Sequence, residues 1–456
     1  MFESHHPDDM KKLIAPLLAL LVGAACTNNV KYADSFGFHP GNDADSNSEA
    51  FQRCLDGGGK IVVRTPGTYK LSKTIFLDSD TDLSFGEGVI LQREKSADGS
   101  FARFVFLNRG ALERVYDENI SIDGLTLHCN GLNEGSDIPR IVGMNGQLDF
   151  FYVKNLMLSN LRIPDLPVHY FAVHISNFEN VDIHDVDIRG MKDALHFGPG
   201  TDFSVRNGVF KTYDDPIALN AHDYTGSNPE LGWIENGVID NCYDLDDPEH
   251  GTTGFFARIL AGGWCDWREG MDIQSTGDAV VSGGRIYRSN GPDEKKSYTS
   301  KYRPAHESGT LTYPDGITWT MSQDRNVCHS CGVRNVVFSN IHLCKKRHLA
   351  FCFHYDHDQY SRSYYPYAEI PVQGNVTFDK IFIENDIPVL VQARTAVDEF
   401  TISNSDIADS KLFIAPAIDA PGMQYDTTVV RLVNVKCSDP SAILIPTERP
   451  ARVIFE

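Results

Sequence analysis

An all-β fold of parallel coils stacked along one axis is predicted by three observations: a self-repeat, the residues that punctuate it, and its length per turn. Slid against itself by 22 residues, the stretch 171–223 places Ala172, Val173, His174 and Ile175 on Ala194, Leu195, His196 and Phe197. Val181 and Ile183 fall on Phe203 and Val205, Ile188 on Phe210, and Asp193 on Asp215. Each unit is strand-like and ends in Gly, Asn or Asp, which favour turns. Offsets of 22 to 25 residues recur wherever no loop intervenes, which suits a coil rather than a propeller blade of about 40 residues.

In chain order, Asp45, Ser46 or Asn47 is positioned to cap a short helix over 48–55, which Gly57, Gly58 and Gly59 end. Strands follow at 60–63 and 68–71 around a Pro66-Gly67 turn, and further strands over 74–94 carry Ile75, Leu77, Leu83, Phe85, Val89 and Leu91. After a loop near 93–100 and a strand at 104–107, the repeat proper begins at Asn119, and Val376, Phe378 and Ile383 map onto Phe400, Ile402 and Ile407 at an offset of 24. Three stretches break the period: a polar loop at 224–233, a long excursion at 261–302, and the aromatic and histidine-rich 354–367. Loops on a rigid scaffold carry binding. Trp and Tyr there, Trp264 among them, suit carbohydrate, because a flat apolar face packs on a sugar ring while the polar tip stays wet.

The formal net charge of the 456-residue chain is −21. That argues against nucleic acid as a partner, since phosphate binding needs a basic surface. Residues 1–25 read as an export signal: Lys11 and Lys12, an apolar run at 13–22 too short to span a bilayer, then Gly23, Ala24 and Ala25 before Cys26. The segment resembles a bacterial lipoprotein signal, which implies lipidation of Cys26, with a plain secretory signal as the alternative. The expectation is one domain over 26–456, monomeric, touching the membrane only through its lipid, in the periplasm or at the surface of a Gram-negative cell. Nine cysteines remain after Cys26. Cys328 and Cys331 form a lone CxxC motif, and a zinc site would need a second pair such as Cys344 and Cys352. Disulfides or buried thiols are the expectation in an exported protein, and no cofactor is expected.

The chemistry concentrates in the register of the repeat. His174, His196 and Ala218 share one outward strip, and Asp193 and Asp215 fall on successive rungs at the strand entry, with Asp214 alongside. Carboxylates this close push their pKa values apart, so that one acts as acid while another acts as base. Asp-Asp-Pro is also a plain turn sequence; the 22-residue register with Asp193 favours catalysis.

The stretch 31–71, with its DSFG, N-S-E-A-F, Gly-rich turn and V-V-R-T-P-G-T-Y run, resembles the entry to pectate-lyase-like proteins. That resemblance implies a single-stranded right-handed parallel β-helix with an N-terminal helical cap at about 34–72. Together with the coil period and the Asp arrangement, the chain resembles glycoside hydrolase family 28, the polygalacturonase-like enzymes. Met191-Lys192-Asp193-Ala194 matches that family's first Asp motif and Asp214-Asp215-Pro216-Ile217-Ala218-Leu219 its Asp pair. The resemblance implies inverting hydrolysis of a pectin-like polysaccharide or oligosaccharide, with Asp214 as general acid and Asp193 and Asp215 activating water. Inverting pairs stand about 6.5–9.5 Å apart to admit that water.

The chain departs from the family pattern. Met191-Lys192 replaces Asn-Thr, and Gly-His-Gly has only partial echoes in His222 and in Glu249-His250-Gly251. Arg258-Ile259-Leu260 is the nearest match to Arg-Ile-Lys, with Arg268 a second candidate. The lost lysine would have paired with a uronate, which opens the substrate to other plant or host glycans. The expected substrate-binding residues are His174, His196, His222, His250, Arg258, Trp264 and Arg268. Two rival readings stand beside this one: a calcium-dependent polysaccharide lyase, with the three aspartates as ligands and Arg258 as base, and a non-catalytic glycan-binding β-helix.

Overall fold

The computed structural model describes residues 30–251, 253–292, 296–354, 356, 362–415 and 427–456. The export segment and Cys26 lie outside the described residues.

The chain is a parallel β-helix. One column of strands runs Leu195–Phe197, Ile217–Asn220, Ala257–Leu260, Leu349–His354, Val389–Ala393 and Lys411–Ile414, each paired in parallel with the next. The other walls come from longer strands that bend at corners, such as Gly146–Leu166 and Phe171–Gly190. Their register is that of the sequence repeat: Val173 pairs with Leu195, His174 with His196, and Ile183 with Val205. Alternate side chains turn inward and build one continuous core from Ile61 through Leu195 and Phe338 to Leu432.

Asparagine makes the corners. Asn119, Asn155, Asn180, Asn236, Asn335 and Asn375 all have φ between 53° and 61°, a region that Asn tolerates better than most residues. Their side chains form a ladder: Asn155 Nδ2 donates to Asn119 Oδ1 at 2.9 Å and Asn180 Nδ2 to Asn155 Oδ1 at 2.8 Å. Asn335 repeats the bond to Asn236 at 3.1 Å, and Asn375 to Asn335 at 2.8 Å.

At the N-terminal side, the helix Ala44–Leu55 starts a turn earlier than the sequence reading, because Asp43 accepts from Ser46 N at 2.9 Å and is the cap. Its buried Phe51 stacks on Phe38 at 4.3 Å and reaches Phe85 and Phe106 of the first coils. Among the described residues no helix is long and apolar enough to cross a membrane.

The long excursion is more than a loop. Thr276–Ser282, Arg285–Asn290, Thr318–Gln323 and Thr310–Thr312 form an antiparallel sheet, with Cys265–Asp266 on its edge. It has its own core of Ile273, Val280, Tyr287, Ile317 and Trp319. Gly283 and Gly284, both at positive φ, make the tight turn of its first hairpin. The nine described cysteines are free thiols and are not drawn into one site. Cys328 and Cys331 lie against the carbonyls of Leu231 and Ala221, while Cys352 meets His354.

Candidate functional site

Asp193 and Asp215 each sit just before the short strand of their rung, where the chain turns in from the previous wall. Backbone bonds fix the stacking: Ala172 N donates to Asp193 O and Ala194 N to Asp215 O, both at 3.0 Å. Carboxyl oxygens of Asp193, Asp214 and Asp215 all lie within 4.8 Å of one another. The stacking of the rungs therefore brings three acids to one point.

Their surroundings differ. Asp193 Oδ2 meets His196 Nδ1 at 2.9 Å, and its other oxygen lies 3.6 Å from Lys192 Nζ. Lys192 also pairs closely with Asp214. Asp215 accepts from Phe255 N at 2.6 Å and is buried, whereas Asp214 keeps 21% of its side chain exposed. Gly254 covers the pair: a Cβ there would come within 2.3 Å of Asp215 Oδ1 and 2.7 Å of Asp214 Oδ1, so no side chain fits.

Burial, and then the Asp193 charge, push the Asp214 carboxyl up against the pull of Lys192. Burial, followed by the charges of Asp214 and Asp193, holds Asp215 well above the usual carboxylate range. Burial opposes the charge on Lys192, yet Asp193 and Asp214 outweigh it and keep the ammonium protonated. His196 is held neutral by burial and by neighbouring His174.

This electrostatic arrangement has a stability consequence. The folded state binds the Asp215 proton more tightly than the unfolded chain does. Between the usual carboxylate value of about 3.9 and its raised value, Asp215 therefore lowers stability as pH rises. Asp215→Asn is expected to match or exceed the parent in urea unfolding at pH 7, with the gap closing below about pH 4. A variant clearly less stable at pH 7 would refute this reading of Asp215.

The predicted strip runs His174, His196, Ala218, Arg258, Cys352, Gln392 in register. His174, His196, Ala218 and Cys352 are buried rather than exposed, while Arg258 and Gln392 are half-buried; at the first rung Asn145 N donates to His174 Nδ1 at 3.4 Å. His174 Nε2 lies 3.3 Å from Asn228 Oδ1, and Arg288 of the inserted sheet donates to Asn228 O at 2.7 Å. His174 and His196 meet edge to face at 5.0 Å, with Phe171 stacked on His196 at 3.9 Å.

Arg258 enters the site through its charge. Burial opposes the guanidinium, but Asp356, Asp223, Asp215 and Asp193 stabilise it. Its Nη2 donates to Asp356 at 2.5 Å, and His354 meets the other Asp356 oxygen at 2.9 Å. Burial pushes Asp223 up to about 6 and His222 down to about 3.

Three predicted residues stand apart from the acids. His250 pairs with Asp247 at 3.0 Å beside Lys211, on the far side of the 211–215 corner. Trp264 lies 6.0 Å from His222 and, with Arg268, lines a different cavity. In both cases an insertion carries the residue away from the rung where spacing in the sequence would put it. Sequence reasoning missed Lys192 as a partner of the acids, although its place beside Asp193 was the available signal. It also missed Asp223, Asp356 and the small residue Gly254, which is separated from the acids by a 40-residue register that only the fold reveals.

No family model matches the chain, and no curated protein matches it. Among solved structures it is similar to a surface adhesin of Streptococcus pneumoniae (14% identity, 93% of this chain and 91% of that one, TM-score 0.41). It is also similar to the A-module of a mannuronan C-5 epimerase from Azotobacter vinelandii (10%, 93% and 99%, TM-score 0.47). A family 28 exopolygalacturonase from Yersinia enterocolitica is a third (13%, 93% and 78%, TM-score 0.44). An adhesin, an epimerase and a hydrolase stand at similar distance, so these likenesses do not select among functions.

Proposed function

We propose that the chain hydrolyses a glycosidic bond in a polysaccharide or oligosaccharide, and the observation that carries this is the cluster of Asp193, Asp214 and Asp215 on adjacent rungs. Asp214, raised in pKa and partly exposed, is the general acid that protonates the leaving oxygen. Asp193, oriented by His196 and Lys192, activates the water as the base, and Asp215, buried and held by the Phe255 amide, lies beside it and helps to position that water. The oxygens lie closer than the roughly 6.5–9.5 Å of an inverting pair and nearer the roughly 5–5.5 Å of a retaining one. The anomer released therefore decides the mechanism: inversion assigns Asp193 and Asp215 to the water, and retention makes one of them a nucleophile.

The calcium-lyase reading is favoured by one feature, three carboxylates close enough to share a cation. Against it, Lys192 already supplies positive charge to two of them. A lipid anchor at Cys26, expected from the sequence, would hold the enzyme at a bacterial membrane, working on glycan outside the cytoplasm.

The test is a panel of pectic and neutral glycans, with and without chelator, followed for reducing ends and for unsaturated product. New reducing ends without unsaturation, insensitive to chelator, are expected. Unsaturated product lost on chelation would replace the hydrolase with the lyase.

A further inference from the structure

The sequence singled out Trp264 and Arg268, and the acid cluster uses neither. They line a separate cavity of about 380 Å³ with Asp266, His329, Tyr367 and Glu369. The cavity lies where the inserted sheet leaves the stack: Gly262–Gly263 pairs antiparallel with Ser330–Cys331, and Trp264 N donates to His329 O at 2.8 Å.

Four features of this cavity point to a ligand. Trp264 is 1% exposed, and its Nε1–H finds no acceptor, a donor left open in a buried wall. Such a group is normally satisfied by protein, water or ligand. The Arg268 guanidinium has no hydrogen-bond or ion-pair partner among the described residues. Tyr367 is 74% exposed and sits at φ +62°, so the backbone adopts an unfavourable conformation and presents an aromatic ring to solvent. Asp266 pairs with His329 at 3.1 Å and Glu369 accepts from Ser330 Oγ at 3.2 Å, which sets two carboxylates at the rim.

We propose that this cavity is a second glycan-binding site, distinct from the acid cluster, that takes an uncharged pyranose. An aromatic face packs on the apolar face of a sugar ring. Carboxylates and a guanidinium offer acceptors and donors for hydroxyls set around its edge. The charge balance selects against uronates: two carboxylates face one arginine, and an acidic sugar would meet net negative charge. The cavity sits beyond the end of the strand Ala257–Leu260, whose Arg258 interacts with the acids and precedes Trp264 by six residues. It therefore binds a different part of a long or branched glycan from the part that is cut. This assignment stands whether or not the acids hydrolyse.

The experiment is calorimetric titration of the full mature chain with neutral oligosaccharides of glucose, galactose, mannose and xylose, with tetragalacturonate as the acidic control. Parent and Asp214→Asn chains are expected to bind at least one neutral oligosaccharide equally. Arg268→Ala and Tyr367→Ala are expected to weaken that binding at least tenfold while melting as the parent does, since neither side chain supports the core. Tetragalacturonate is expected to bind more weakly than the neutral ligand. The site is overturned if no neutral oligosaccharide binds, if both cavity variants bind as the parent does, or if Asp214→Asn alone abolishes binding. Failure of hydrolysis with binding retained would sink the proposed activity and leave this site standing.

Discussion

Asp214→Asn is expected to reduce turnover by about 10²–10⁴-fold, the range that a positioned general acid contributes. The substitution keeps the shape and the exposed position of the side chain and removes only the proton it would give. Lys192 would keep Asp193 as a partner, 3.6 Å away, so the site should hold its geometry. The pH profile carries the same signature. Burial and the Asp193 charge raise Asp214, and the acid is useful only while protonated. The parent's rate should therefore fall as pH rises through that raised value, and the variant's residual rate should lose this alkaline limb. Turnover measured across pH, alongside thermal melts, checks both points. Full activity in Asp214→Asn would remove Asp214 from the mechanism.

Arg347→Ala is expected to cost about 3–5 kcal/mol of stability, because it would strand a buried charge. Arg347 and Asp244 are both fully buried, with Nε donating to Oδ2 at 2.5 Å and Nη2 to Oδ1 at 3.0 Å. Arg347 also donates to Thr253 O at 3.2 Å and so ties the coil before the insertion to the segment that carries Gly254. Replacing both partners, as in Arg347→Met with Asp244→Leu, should recover much of the loss, since an apolar pair of similar volume needs no compensating charge. Urea unfolding of the two variants gives the comparison. If Arg347→Ala unfolds at the parent's midpoint, the pair is not holding that corner.

The stack was legible in the sequence because a repeat writes its own register. The 22-residue offset aligned His174 with His196 and Asp193 with Asp215, and those are the pairings across neighbouring rungs. The corners were legible as well, since Asn recurs at many of the positions where the backbone takes positive φ. What lay hidden was anything that depends on contact between distant segments. Asp356 meets Arg258 across 98 positions, and nothing local in the sequence marks the pair. The inserted sheet was read as a loop because its strands are short and its core is separate, although Gly283-Gly284 between two alternating runs was a hairpin signal. His250 looked like a family motif by spacing alone, and an insertion had moved it to another corner.

The asparagine ladder has a mechanical consequence. Its bonds, like those of the backbone, run from coil to coil along the stack. A force that pulls the two ends apart along that axis loads the coil interfaces in series, so rupture begins at whichever interface is weakest and proceeds by peeling. A force along the strands loads every bond of an interface in parallel, as shear. The molecule is therefore anisotropic: soft when stretched end to end, and stiff when sheared sideways across its walls.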